Sequence, residues 1–214
     1  MRTHLGLLAV ALCLSVSVSL LSKVAPMEKP VYDKPDQVQP LKVGDKIADG
    51  LLKDVDGKDV ALGELVARKP SVIIFYRGGW CPFCNLQMSQ LVKIEPELAD
   101  MGYQILAITP DSPESLRASL EKEKINYTLL SDPTMKVTQA FGLAYHMGDA
   151  MVAALKGYGN DIDRATGNAL HELPVPAAYV VDTKGAIHFL YYNPDFKVRV
   201  NPQELMLAAK RALG

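Results

Sequence analysis

A chain of 214 residues with 49% hydrophobic residues holds enough apolar material for one packed domain plus accessory segments. Its formal net charge of −1, with no basic patch, argues against nucleic acid as a partner and gives no charge reason for binding polyanions or a membrane surface.

The N-terminus opens with one arginine, Arg2, followed by an uncharged apolar run from Leu5 to Leu21 that ends at Lys23. Residues 1–25 therefore read as an export signal or a single membrane anchor. Cys13 in VALC is a weaker match to a lipid-attachment site, since a leucine precedes it. Residues 26–40, PMEKPVYDKPDQVQP, carry four prolines and several charges and read as an extended linker. The domain is then expected over 41–214, outside the cytoplasm or tethered to a membrane.

Residues 47–62 predict a short β-hairpin with an Asp-Gly turn in DVDGKDV. SVIIFY, 71–76, has the uncharged, β-branched and aromatic character of a buried strand. Helical periodicity runs from Cys81 to about Met101, with Pro96 expected to kink it. YQILAIT, 103–109, is a second buried strand. Ser112-Pro113 caps a helix to about Lys124, YTLL at 127–130 is a third strand, and Asp132-Pro133 repeats the capping device for a short helix to Phe141. Residues 143–174 read as an insertion made of a helix and a glycine-rich loop, placed to cover a site or merely to lengthen a connection. AAYVVD (177–182) and AIHFLYY (186–192) form strands around Thr183-Lys184-Gly185, and an amphipathic helix at 202–213 closes the chain. Strands alternating with helices predict an α/β fold with a central mixed sheet and helices on both faces.

The chemistry concentrates in RGGWCPFC, residues 77–84. Gly78 and Gly79 allow a tight turn out of the strand, and Pro82 fits the first helical turn, where a missing N–H costs nothing. Cys81 then sits at a helix N-terminus, where free amides and the helix dipole favour its thiolate and make it the nucleophile. Cys84, one turn on, lies on the same face as a resolving thiol, and Trp80 walls the site. A pair this close closes too short a loop to staple a fold. Zinc needs four ligands, which only a gathering of His146, His171 and His188 around the cysteines would supply.

WCPFC after an apolar strand, with VPAAYVVDTKGAI downstream, resembles the thioredoxin-like superfamily. FYRGGWCPFC, FGLAY, the segment ending in ELPVPAAYVVD, and YNPDFKVRVNPQEL together resemble more closely the peroxiredoxin-like group of the AhpC/TSA (redoxin) family, over about residues 41–213. The resemblance implies a thioredoxin-like fold with an N-terminal hairpin extension and an insertion before the last two strands. It implies that Cys81 attacks a hydroperoxide, that Cys84 condenses with the resulting sulfenic acid, and that an external thiol donor such as a thioredoxin-like protein resets the pair. No cofactor or metal is implied. It also implies a cis Val175–Pro176 peptide beside the cysteines. The chain departs from the family pattern at Gly78, where a Thr or Ser hydroxyl is usual, and at Pro176, near which an arginine is usual. Arg77 stands ready to substitute electrostatically, or is a solvated strand-end charge. His171 and Glu172 are conceivable as a proton relay, although ordinary loop roles fit them better.

Three functions are therefore carried forward: a thiol peroxidase, a thiol–disulfide oxidoreductase acting on protein disulfides, and a non-enzymatic metal-binding module.

Overall fold

The computed structural model describes residues 29–213. The apolar N-terminal run lies outside them, and among the described residues no helix is long and apolar enough to cross a membrane.

The sheet is built around β3 (Ser71–Phe75), all five of whose residues are buried. It pairs in parallel with β4 (Gln104–Thr109) on one side and antiparallel with β8 (Ala177–Val181) on the other. Being covered on both faces explains why these strands are continuously apolar rather than alternating. Around this centre the order is β2-β1-β5-β4-β3-β8-β9, with β1 (Leu51–Lys53), β2 (Asp59–Ala61), β5 (Thr128–Ser131) and β9 (Ile187–Tyr192). The expected hairpin is β1–β2, with the left-handed φ of +80° that its turn requires supplied by Gly57.

Alternation along β3 divides the core. Val72 and Ile74 face a cluster with α2 (Pro82–Asp100), α3 (Pro113–Glu123) and α7 (Pro202–Ala212) that includes Met88, Leu91, Leu98, Leu116, Leu205 and Ala209. Ile73 and Phe75 face α1 (Leu62–Arg68) and α4 (Lys136–Ala140), packing with Leu62, Val66, Val137, Phe141 and Tyr179. Each such side chain contributes about 1.5–3 kcal/mol on burial. Phe75, Phe141 and Tyr179 form an aromatic triad with ring centroids 4.8–6.1 Å apart. Helices on both faces of a mixed sheet match the sequence expectation.

Several elements differ in detail. Helix α2 runs unbroken through Pro96, which is exposed. Helix α4 starts later than Asp132-Pro133 suggests. Asp132 is buried and reaches forward, accepting from the Thr138 N–H at 2.7 Å and the Thr138 hydroxyl at 2.8 Å. Helix α1 was not expected, and the insertion holds α5 (Asp149–Gly157), α6 (Ile162–Thr166) and a two-stranded sheet of β6 (Ala144–His146) and β7 (Glu172–Pro174).

Residues 29–40, read as a linker, lie against the domain. Tyr32 donates its N–H to Ala144 at 3.0 Å and accepts from the His146 N–H at 2.8 Å; Gln39 and Leu41 donate to Gly142 and Phe141. Val38 is buried in the second core cluster.

The cis Val175–Pro176 bond is a correction: among the described residues every peptide is trans. Val175 donates to Leu143 at 2.9 Å and the Pro176 carbonyl accepts from Asn193 at 3.3 Å. The chain thus passes from the β6–β7 ribbon into β8 as one extended run.

Candidate active site

Beyond Phe75 the ladder continues one residue, with the Tyr76 N–H donating to Ile108 at 3.0 Å. The chain then turns through Gly78 and Gly79 into α2. Gly78 has φ +148°, and a Cβ there would lie 2.2 Å from Trp80 Nε1 and 2.8 Å from Asp111 Oδ1, so only glycine fits. This explains the departure at position 78: a side chain carrying a hydroxyl there would collide with Trp80 and Asp111. The turn is fastened by the Gly79 N–H donating to Asp111 Oδ2 at 2.7 Å and by Asn85 Nδ2 donating to the Gly79 carbonyl at 3.0 Å.

Cys81 is the N-cap of α2 and Pro82 opens the helix, as expected. The Cys84 and Asn85 N–H groups donate to the Cys81 carbonyl at 3.0 Å. Both cysteines are free thiols, 1% and 0% exposed. Arg77 is 3% exposed, which removes the reading as a solvated charge; its Nη1 is 3.9 Å from Cys81 Sγ. The guanidinium is held between the rings of Trp80, 5.0 Å away, and Phe196, 4.1 Å away. Arg199 approaches from the other side, its Nη2 donating to Cys84 Sγ at 3.5 Å and its Nη1 to the carbonyls of Phe196 and Val198.

These neighbours split the two thiols. Cys81 is lowered to about 6, chiefly because the Cys84 thiol offers its proton toward the Cys81 sulfur; burial opposes this, and the Cys84 N–H, Arg77 and Arg199 add to it. Free amides at the helix start were expected to dominate. They do not: the Cys84 N–H adds to the lowering, but less than the Cys84 thiol does. Cys84 is driven well above the ordinary thiol range by burial and then by its Cys81 neighbour, with Arg199 pulling the other way. One thiol is thus poised as nucleophile and the other retains its proton.

Two residues of this site escaped sequence reasoning. Asp111 is 1% exposed at the end of β4, and burial pushes its carboxyl up to about 7, against the Gly79 N–H. Its position at the carboxyl end of a central parallel strand, beside the strand–helix turn, is the available signal. Arg199, 115 residues from Cys84, carries no such signal.

The insertion covers the site. Met147, Ile162 and Leu173 pack with Trp80 and Tyr145, and Ala165 accepts from the Ser112 N–H at 2.9 Å. A largely apolar cavity of about 300 Å³ opens on Arg77, walled by Asp33, Pro35, Tyr145, Met147 and Phe196.

The remaining candidates lie elsewhere. Pro176 is buried and its contribution is backbone pairing. His171 pairs with Asp163 at 2.8 Å and Glu172 with His146 at 3.9 Å, so neither turns to the cysteines. Among the described residues no three His, Cys, Asp or Glu side chains gather as a metal site, and His188 pairs with Asp182 at 2.9 Å.

Comparison with known proteins places the chain in a family. The sequence model of the AhpC/TSA family matches residues 43–190. Peroxiredoxin Bcp of Escherichia coli K12 is 36% identical over 106 residues, spanning 50% of this chain and 67% of that protein. The chloroplastic peroxiredoxin Q of Gentiana triflora is 30% identical over 142 residues, 66% of this chain and 55% of that protein. Among solved structures, peroxidoxin BcpB from Mycobacterium tuberculosis superposes with a TM-score of 0.62 at 19% identity, covering 80% of this chain and 97% of that one. A peroxiredoxin-like protein from Aquifex aeolicus gives 0.64 at 19% identity, covering 81% and 88%. These two comparisons establish the fold.

Proposed function

The chain belongs to the AhpC/TSA family, and from that premise we propose that it is a thiol-dependent peroxidase in which Cys81 attacks a hydroperoxide and Cys84 resolves the product. The observation that carries this reading is the split between two buried thiols one helical turn apart, Cys81 lowered and facing Arg77, Cys84 raised and facing Arg199.

The Cys81 thiolate attacks the terminal peroxide oxygen; an S–O bond forms as the O–O bond breaks, leaving a sulfenic acid and an alcohol or water. Cys84 then gives its proton to the leaving hydroxide and its sulfur bonds to Cys81, releasing water. Two equivalents of an external thiol return the pair to dithiol. A thioredoxin-like protein suits that step. The apolar run at 5–21 supports a domain that works after export.

The alternative, exchange with protein disulfides, loses support from two features. Both sulfurs are at most 1% exposed, which suits a small hydroperoxide better than another protein's disulfide. A cis Val175–Pro176 bond would have favoured this alternative, and the bond is trans. A metal-binding role has no ligand set among the described residues.

Stopped-flow mixing of the reduced protein with hydrogen peroxide, following the single tryptophan, Trp80, tests the proposal. A fast phase followed by a slower one, with mass spectrometry showing a Cys81–Cys84 disulfide, is expected. Prompt reduction of a protein disulfide with negligible peroxide reaction would reverse the assignment.

A further inference from the structure

Buried polar side-chain atoms nearly always find partners, and an orphan in a native site asks for an explanation. Among the described residues seven buried side-chain nitrogen or oxygen atoms have none. Three belong to the cysteine turn or the carboxylate that fastens it: Arg77 Nε, Trp80 Nε1 and Asp111 Oδ1. Two are donors and one is an acceptor. Trp80 Nε1 and Asp111 Oδ1 flank the same point, where the missing Cβ of Gly78 would lie. Trp80 directly precedes Cys81, Arg77 lies four residues before it, and Arg77 borders the apolar cavity.

A hydroperoxide has the complementary pattern: one O–H to donate and two oxygens to accept. We infer that Trp80 and Asp111, with Arg77, form the hydrogen-bonding cradle of the hydroperoxide, with the Asp111 carboxylate accepting its O–H and the indole and guanidinium N–H groups donating to its oxygens. The inference rests on the peroxidase reading above. In the reaction the sulfur of Cys81 loses two electrons and bonds to the terminal oxygen, which keeps its hydrogen. The O–O bond breaks, and the departing oxygen takes up the bond's electron pair against the two donors and gains a proton from water. Donors aimed at that developing charge are worth more in a dry site than in water. On this account the glycine at 78 is what allows the indole and the carboxylate to approach the site.

The test separates contact with peroxide from a general effect on the thiolate. Trp80→Phe keeps an aromatic wall and removes the N–H; Asp111→Asn keeps an oxygen for the Gly79 N–H and removes the charge. For each reduced variant, at a pH well above the value of about 7 at which Asp111 ionises, second-order rates of Cys81 oxidation by hydrogen peroxide are measured by quenched-flow mass spectrometry, and rates of Cys81 alkylation by iodoacetamide in parallel. Loss of one hydrogen bond to a charged transition state is expected to slow peroxide about tenfold, with alkylation changed less than about twofold. Asp111→Asn is decisive in sign: removing a negative charge near Cys81 can only assist a purely electrostatic thiolate, so slower peroxide with unchanged or faster alkylation is the signature of contact. Peroxide and alkylation rates that fall together, or no fall in either, overturn the inference. Should Asp111→Asn fail to fold, Trp80→Phe decides alone. A wild-type protein that does not react with peroxide sinks the peroxidase reading itself, a separate result.

Discussion

Arg199 Nη2 lies 3.5 Å from the sulfur of Cys84, closing a contact across 115 residues of chain. It gives the second thiol the cationic neighbour that Arg77 gives the first. Burial keeps Cys84 protonated, and Arg199 is the group that opposes it. Replacing Arg199 with Met should therefore slow disulfide closure more than the initial oxidation of Cys81. A lost charge-assisted hydrogen bond of about 1.5 kcal/mol corresponds to roughly a tenfold slower second phase. The two phases of the tryptophan trace, recorded at several peroxide concentrations, measure this: the concentration-independent phase should slow more than the concentration-dependent one.

The acidity of Cys81 predicts a pH profile. Its thiolate is favoured down to about 6 in the folded protein, so its alkylation rate should climb as pH rises through about 6 and level off above. Iodoacetamide kinetics on the Cys84→Ser variant should shift the midpoint upward, because the largest stabilising partner has been weakened. A wild-type midpoint near the ordinary 9.0 would remove the nucleophile from the scheme.

Asp111 links stability to pH in the opposite sense. Its folded-state carboxyl keeps its proton up to about 7, against 3.8 for the ordinary group, through burial. Its contribution is complete below the unfolded value and is lost as pH rises through the folded one. Cys81 acts the other way, its contribution being present above 9.0 and lost as pH falls through about 6. Between pH 4 and 6 the carboxyl therefore acts without the thiol, and the Tyr76 hydroxyl facing it is raised beyond titration there. Urea midpoints of the reduced protein, compared with Asp111→Asn, should show the wild-type advantage shrinking across that interval. A constant difference would mean that Asp111 is ionised in the folded state.

Gly142 tests the docking of the N-terminal segment. It has φ +73°, and a Cβ would lie 2.1 Å from the Gln39 carbonyl oxygen. Gly142→Ala should cost about 1–3 kcal/mol from backbone strain and loosen residues 29–41. Limited proteolysis should then cut in that segment sooner, while the alkylation rate of Cys81 stays near wild type.

What the sequence revealed and hid follows from the range of the interactions. Strand 71–76, the turn at Gly78-Gly79 and the start of α2 were legible because each depends on neighbours a few residues away. The Ser112 cap was legible too, and its hydroxyl accepts from the Ser115 N–H as expected. Helix α1 was hidden because it is seven residues long and its N-cap, Ala61, has no capping side chain. Strands β6 and β7 are three residues each and exist through their pairing with one another. Arg77 could be named but not placed, since burial between Trp80 and Phe196 depends on a loop far down the chain. Asp111 was hidden because its partner is the amide of Gly79, 32 positions earlier. Pro176 was assigned a cis bond by resemblance, whereas the adjoining ribbon and sheet draw the backbone straight through it.

The cavity at Arg77 has walls from three distant stretches, around Asp33 and Pro35, around Tyr145 and Met147, and around Pro194 and Phe196. The first and third fall outside the 43–190 span that matches the family. The cysteine turn lies inside that span, so the cavity before it is walled in part from outside the stretch that matches the family. Exchanging residues 29–42 and 193–200 with those of a relative tests whether these walls select among oxidants, with the Cys81 alkylation rate as the control.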